Sequence, residues 1–201
     1  ERKGTLTNIL MDGASARDVL QKSQYPNIDF IAADMGLVEA NYAVIGDQET
    51  RQDLILKNAL AEIADDYAVC VIDNPPDINM SVFNALACTD DVIIVTLLEL
   101  DSIEGIRKMH DQITDVQQFN PGLSIKGVLV NQYMAYPEAI ELSKDLEREG
   151  FPLFQSRVSY ATPMAKRHIL AASRARKSIF EVCPYCRVAR DVLRFAEELL
   201  Q

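Results

Sequence analysis

Val69-Cys70-Val71-Ile72-Asp73-Asn74-Pro75-Pro76 is four apolar residues, a carboxylate, an amide and two prolines. An uninterrupted apolar run that ends in an acid and is broken by proline predicts a strand buried on both faces of a parallel sheet. Three later runs have similar character: Val92–Leu97, Ile125–Asn131 and Leu153–Val158. Ile28–Ala33 is a shorter strand candidate, introduced by the turn signal Tyr25-Pro26-Asn27. Between these runs the apolar period lengthens to that of a helix. Gln48–Asp66 carries Leu54, Ile55, Leu60 and Ile63 at helical spacing, and Met80–Cys88 is a second, shorter helix. A third starts at a Ser102 cap, contains Gly105, and runs to about Phe119, where Asn120-Pro121-Gly122 stops it. Pro137–Glu149 is amphipathic and closed by Gly150, and Thr162–Ser173 and Arg187–Leu200 complete the set.

Strands alternating with helices predict an α/β fold, a mostly parallel sheet with helices on both faces. Ligands in such sheets bind beyond the carboxyl ends of the strands. The residues to read for function are therefore Asp73 to Pro76, Leu98 and Glu99, Asn131 and Gln132, and Ser159 and Tyr160. Residues 69–73 have the form of a Walker B strand, in which a carboxylate at the strand's end orients the water shell of a magnesium ion on phosphates. The same position also suits an ordinary turn or cap residue.

With 201 residues, 48% hydrophobic and 25% charged, the chain is long enough to bury a core as a single domain, 1–201, without disulfide staples. Disorder, a collagen-like chain and a disulfide miniprotein are excluded. No apolar run is long enough to span a bilayer, and the four cysteines lack a regular framework, as suits a reducing compartment. The net charge of −10 hides a division. Residues 1–156 hold 11 Lys/Arg and 26 Asp/Glu, whereas residues 157–201 hold 9 and 4. A basic segment on an acidic protein points to a localised anionic partner.

Together, Asp73-Asn74-Pro75-Pro76, Asn84-Ala85-Leu86, Asp90-Asp91-Val92-Ile93-Ile94-Val95, Glu99, and Ser102-Ile103-Glu104-Gly105 resemble the ParA/MinD family of partition ATPases, including its Soj-like members. The resemblance extends in order over nearly the whole chain, through Pro26-Asn27-Ile28-Asp29-Phe30-Ile31, Asn120-Pro121-Gly122-Leu123-Ser124-Ile125-Lys126-Gly127-Val128-Leu129 and Lys177-Ser178-Ile179-Phe180-Glu181. It implies a P-loop NTPase-like fold, with ATP and Mg2+ as cofactors of the intact parent protein. It also implies ATP-dependent dimerisation, nonspecific DNA binding, a centromere-binding ParB-like partner, and a cytoplasmic, nucleoid-associated place without membrane contact. Asp73 would organise magnesium through water, with no direct metal ligand in the chain. Asn131 would meet the adenine ring, since an amide donates and accepts at once, and Pro163 would line the adenine pocket. Asn131 is equally suited to a turn.

One family element is absent. No Gly-Lys dipeptide occurs, so the phosphate loop G-x-x-x-x-G-K-[ST] has no counterpart here. Gly4-Thr5-Leu6-Thr7-Asn8-Ile9-Leu10 resembles the family segment that follows that loop and the second strand, so the domain is expected to be incomplete at its amino end, without the first strand, the loop and the second strand. Without the loop's amides and lysine, the chain as given is expected neither to hold ATP and Mg2+ tightly nor to hydrolyse ATP. A non-catalytic DNA-binding or interaction module derived from the family is the alternative.

In the basic segment, Lys166, Arg167, Arg174, Arg176 and Lys177 are the candidate phosphate contacts. The competing reading is a solvated face that balances the acidic remainder. Cys183-Pro184-Tyr185-Cys186 has the sequence of a glutaredoxin active site, which makes a thiol oxidoreductase through Cys183 and Cys186 a further alternative. Its place near the carboxyl terminus does not suit that fold, and a zinc site would need a second pair of ligands.

Overall fold

The computed structural model describes residues 4–46, 54–76 and 79–201. In chain order the elements are α1 (Leu6–Asp12), α2 (Ala16–Val19), β1 (Gln21–Lys22), β2 (Asp29–Phe30), α3 (Gly36–Gly46), α4 (Ile55–Ala61), α5 (Met80–Ala87), β3 (Asp91–Thr96), α6 (Leu100–Val116), β4 (Ser124–Tyr133), α7 (Pro137–Arg148), β5 (Leu153–Ser159), α8 (Pro163–Ala175), α9 (Ile179–Val182) and α10 (Arg187–Leu199). They fall into two compact units: residues 1–90 with 115–123, and residues 91–114 with 124–201.

The second unit contains the parallel sheet, in the order β3-β4-β5. The central strand, β4, is buried without interruption from Gly127 to Val130, as its apolar run requires. β3 departs from the expectation of burial on both faces. Its Ile94 is 2% exposed, but Val95, on the opposite side of the pleat, is 59% exposed. α7 begins with Pro137 at its first turn, where a missing N–H costs nothing. It buries Ala139, Leu142, Ser143 and Leu146, one stripe at helical spacing. Gly150 then turns the chain into β5 at φ 88°, a conformation other residues adopt at a cost.

β5 would be an open edge without α10. Glu198 accepts the backbone N–H groups of Gln155 and Ser156 at 2.7 and 2.8 Å, and the buried Asp191 accepts that of Ser159 at 3.0 Å. Carboxylates on a helix thus do the work of a neighbouring strand. Phe195 of α10 meets Phe154 of β5 edge to face, with ring centroids 5.0 Å apart. Gly127 makes room for that ring: a Cβ there would lie 2.7 Å from Phe154.

The first unit is mainly helical. Ile9, Ala16, Val19, Ala59 and Ile63 form one core cluster, and Leu10, Ala40, Leu56 and Ala85 another. Two asparagines of the recognised motifs are architectural here. Asn84, 1% exposed, accepts the N–H of Leu56 at 3.2 Å and donates to the Met80 carbonyl at 3.1 Å. α4 starts at Leu54, which has no capping side chain, so Asn84 satisfies one of its orphan amides from another helix. Asn120 donates to the carbonyls of Leu86 and Thr89, at 2.9 and 2.7 Å, and so closes the end of α5.

Several expectations need correction. Residues 69–73 are no buried strand: Val69 and Val71 are 61% and 86% exposed, and Cys70 is exposed. A strand exists only through its neighbour's hydrogen bonds, and among the described residues this segment has no ladder partner. Only Ile72 packs partly against the core. Ile28–Ala33 contributes two strand residues, paired antiparallel with β1 rather than in a parallel sheet. The helix expected over 48–66 is observed from Ile55 to Ala61, followed by a tight turn of 3-10 helix at Ala64–Asp66, while 48–53 lie outside the described residues. α1, α2, α3 and α9 were not expected.

Two measurements check this packing. Asn84→Ala leaves the Leu56 amide unsatisfied and is expected to cost about 1–3 kcal/mol in urea unfolding. Burial pushes the Glu198 carboxyl up, but the Ser156 side chain together with the Ser156 and Gln155 amides outweighs it and holds the group below its ordinary 4.5. Its contribution to stability is therefore complete above pH 4.5 and is lost as pH falls through the lowered folded value. Glu198→Gln is expected to flatten that part of the acid-unfolding profile.

Candidate functional site

The carboxyl ends of β3, β4 and β5 are joined by polar contacts within the second unit. Tyr160, just past β5, donates its N–H to the Tyr133 carbonyl at 3.0 Å. Tyr136 donates its hydroxyl to the Leu98 carbonyl, beyond β3, at 3.1 Å. β4 carries one extra residue in its last turns: Val130 pairs with Arg157 and Tyr133 with Ser159. The surplus is absorbed by Gln132 in the left-handed region, φ 51°. Asn131 supports that bulge, its Oδ1 accepting the Gln132 N–H at 2.9 Å. A carbonyl oxygen has two lone pairs and the amide nitrogen two protons, so Asn131 retains donor and acceptor capacity for a ligand. The turn role and the ligand role coexist in one side chain.

Pro163 opens α8 at the same end of the sheet. Thr162 caps that helix by accepting the Ala165 N–H at 3.3 Å. Asn131 thus lies near the end of β4, and Pro163 opens the helix that follows β5, its neighbour in the sheet. Asp73 belongs to the first unit. There it is exposed with Asn74, Pro75 and Pro76, in a loop where the Asn74 amide reaches the Ile72 carbonyl at 3.4 Å. Its carboxylate is a hard oxygen donor of the kind that suits a hydrated magnesium ion.

Tyr160 stands where position after a strand put it, but Tyr133 and the pairing of both rings with cations were not foreseen. Tyr133 lies 4.6 Å from the Arg157 guanidinium, and Tyr160 accepts Lys166 Nζ at 2.7 Å with that ammonium 4.3 Å from its ring centre. Lys166 is therefore engaged by its own strand end. Two cavities lie elsewhere in the units. One of about 390 Å3 is lined by Arg107, His110, Glu149 and Phe151. Another of about 470 Å3 is lined by Asp12, Asp18 and Asp34 among others.

The basic residues differ in pairing along the chain. Among the described residues, Arg17, Lys22, Arg107, Lys108, Lys126, Lys144 and Arg148 each have a carboxylate within 4 Å. In α8 and the turn after it, Arg167, Arg174 and Lys177 are exposed, with no carboxylate partner within 4 Å among the described residues, as are Arg187 and Arg190 of α10. Arg176 is exposed at the carboxyl cap of α8, in the left-handed conformation with φ 52°. The cations that follow residue 157 are more available to an outside anion than those before it.

Comparison with known proteins identifies the family and the fold. The family model described as AAA domain matches residues 1–125. The chromosome partitioning protein ParA of Caulobacter vibrioides is 31% identical over 136 residues, which is 66% of this chain and 50% of that protein. The chain belongs to the ParA/MinD family. It spans about half the length of the relatives it matches. Two solved structures share the fold: an ATP complex of a Cyanothece McdA variant, with TM-score 0.80 at 15% identity over 99% of this chain and 76% of that one, and cobyrinic acid a,c-diamide synthase from Mycobacterium smegmatis with a bound ATP analogue and magnesium, with TM-score 0.72 at 21% identity over 87% and 74%. The α/β fold with its parallel sheet is that of ParA/MinD proteins.

The bulge at Asn131 can be tested apart from any ligand. A β-branched residue is strained at positive φ, so Gln132→Val is expected to lower stability by about 1–2 kcal/mol, whereas Gln132→Gly is expected to hold or raise it, both read from thermal or urea unfolding.

Proposed function

We propose that this chain is part of a partition ATPase that uses ATP and Mg2+ to position plasmid or chromosomal DNA. The supporting observation is that a chain of the ParA/MinD family sets Asn131 and the Pro163 helix start at adjoining strand ends of its parallel sheet. In this reading Asn131 donates to and accepts from the edge of the adenine ring, Pro163 packs beside it, and Asp73 orients water on the magnesium ion. The phosphate loop would be supplied by sequence beyond these residues, with the 1–201 segment as one incomplete domain. ATP would drive self-association, and a centromere-binding partner would stimulate hydrolysis. The place of action would be the cytoplasm, on the nucleoid. Among the described residues no helix is long and apolar enough to cross a membrane.

The exposed cations Arg167, Arg174, Arg176 and Lys177, with Lys166 beside them, would bind duplex DNA by displacing counterions rather than by reading bases. Self-association would present two such surfaces to one duplex and raise the avidity without new contacts. The absence of a Gly-Lys dipeptide in this sequence favours a second reading for the chain on its own, a non-catalytic module that keeps only the DNA contact.

Nucleotide and DNA binding by the intact protein separate these readings. ATP hydrolysis lost on Asp73→Ala, with no turnover by residues 1–201 alone, is the expected outcome; wild-type turnover in the variant overturns the role of Asp73. For DNA, the affinity is expected to fall with salt at a log–log slope of about −0.9 per phosphate neutralised. Arg174→Glu combined with Lys177→Glu is expected to weaken binding and flatten that slope. An unchanged affinity in the double variant means that the basic surface is merely solvated.

A further inference from the structure

Cys183 and Cys186 take no part in the nucleotide or DNA reading, yet the fold brings them together. α9 is a single turn, started by a Ser178–Glu181 capping box and ended at Cys183, whose N–H bonds the Ile179 carbonyl at 2.8 Å. Pro184 and Tyr185 then form a turn, closed by the Cys186 N–H on the Cys183 carbonyl at 3.1 Å. Pro184 stands at the second position of that turn, where its fixed φ is favourable. Cys186 is the amino cap of α10, and its side chain makes no capping bond. A hydrogen-bonded four-residue turn holds its first and last Cα atoms under about 7 Å apart, inside the span a disulfide bridges. Both cysteines are half-buried and free, and Tyr185 between them is 86% exposed, so a small oxidant can reach the pair.

We propose that Cys183 and Cys186 form a reversible intramolecular disulfide, a redox modification site that ties the end of α9 to the start of α10. The co-reactant is a low-molecular-weight disulfide such as oxidised glutathione. A Cys183 or Cys186 thiolate attacks it, releases one glutathione thiolate and leaves a mixed disulfide. The second cysteine, after losing its proton, attacks the protein sulfur of that bond and releases the other glutathione. Two protein thiols are oxidised by two electrons, one glutathione disulfide is reduced to two thiols, and the two protons pass to the leaving thiolates. Burial and the Cys186 thiol push the Cys183 thiol above its ordinary value. The reduced form therefore gains no thiolate stabilisation of the kind that makes a catalytic oxidant strongly oxidising.

The test is equilibration of the protein across a series of reduced-to-oxidised glutathione ratios, followed by acid quenching, alkylation and peptide mass analysis. The expected result is a peptide containing both Cys183 and Cys186 that has lost two hydrogens, restored by dithiothreitol. Cys183→Ser and Cys186→Ser are each expected to retain one glutathione instead. A protein carrying Cys70→Ser and Cys88→Ser keeps the pair and is expected to titrate unchanged, which covers the case in which the first two variants fold poorly. The proposal is overturned if both thiols remain alkylatable in excess oxidised glutathione, if the product is a disulfide between two chains, or if Cys183 bonds to Cys88 or Cys70.

Discussion

An unpaired strand edge leaves a row of amides that must find acceptors, and β5 is one such edge of the parallel sheet. The solution is a helix that presents carboxylates. Glu198 and Asp191 lie seven residues apart, two turns along one face of α10, and take three amides of β5 between them. That docking seats Phe195 on Phe154, and Phe154 in turn occupies the space left by Gly127. Because Ser159 is held by Asp191, the next residue, Tyr160, is positioned to bond Tyr133, and the ends of β4 and β5 come into register. The candidate adenine site thus depends on a contact made on the far side of its strand.

Much of the second unit was legible. β3, β4, β5 and the helices α6, α7, α8 and α10 lie within a few residues of where apolar period and stop signals put them, because each has a buried face that the sequence must encode. The first unit was less so. α1 and α2 are short, and their starts depend on Thr5 and Ser15 rather than on a long apolar stripe. Residues 69–73 misled for a related reason. Apolar residues in a row report a capacity to be buried, but whether they are depends on a neighbour that the sequence of the run does not contain. The candidate site divides in the same way. Position after a strand picked out Asn131, Gln132 and Tyr160, whereas Pro163 at the start of α8 came only from the family resemblance. The bulge at Gln132 emerges only from the register of β4 on β5, and Asn84 and Asn120 look like any other motif residues until their partners are seen.

Net charge is a poor guide to this surface. Seven of the basic residues before residue 157 face carboxylates within 4 Å, so their fields are largely cancelled at short range. Such exposed pairs add little stability, but among the described residues they leave exposed positive charge without a carboxylate within 4 Å at Lys57, in and just after α8 and at the start of α10. A protein of overall negative charge can therefore attract a polyanion locally while repelling it elsewhere, which favours a defined orientation of approach.

Arg176 shows how such a surface constrains the evolution of the chain. It ends α8 in the left-handed conformation, where glycine is the residue of least cost and any side chain pays roughly 1 kcal/mol. Sequence drift toward greater thermal robustness would replace Arg176 by glycine, and each such step would also remove a cation from the face that meets solvent. Selection for a tougher protein and selection for a more positive one pull this single position in opposite directions.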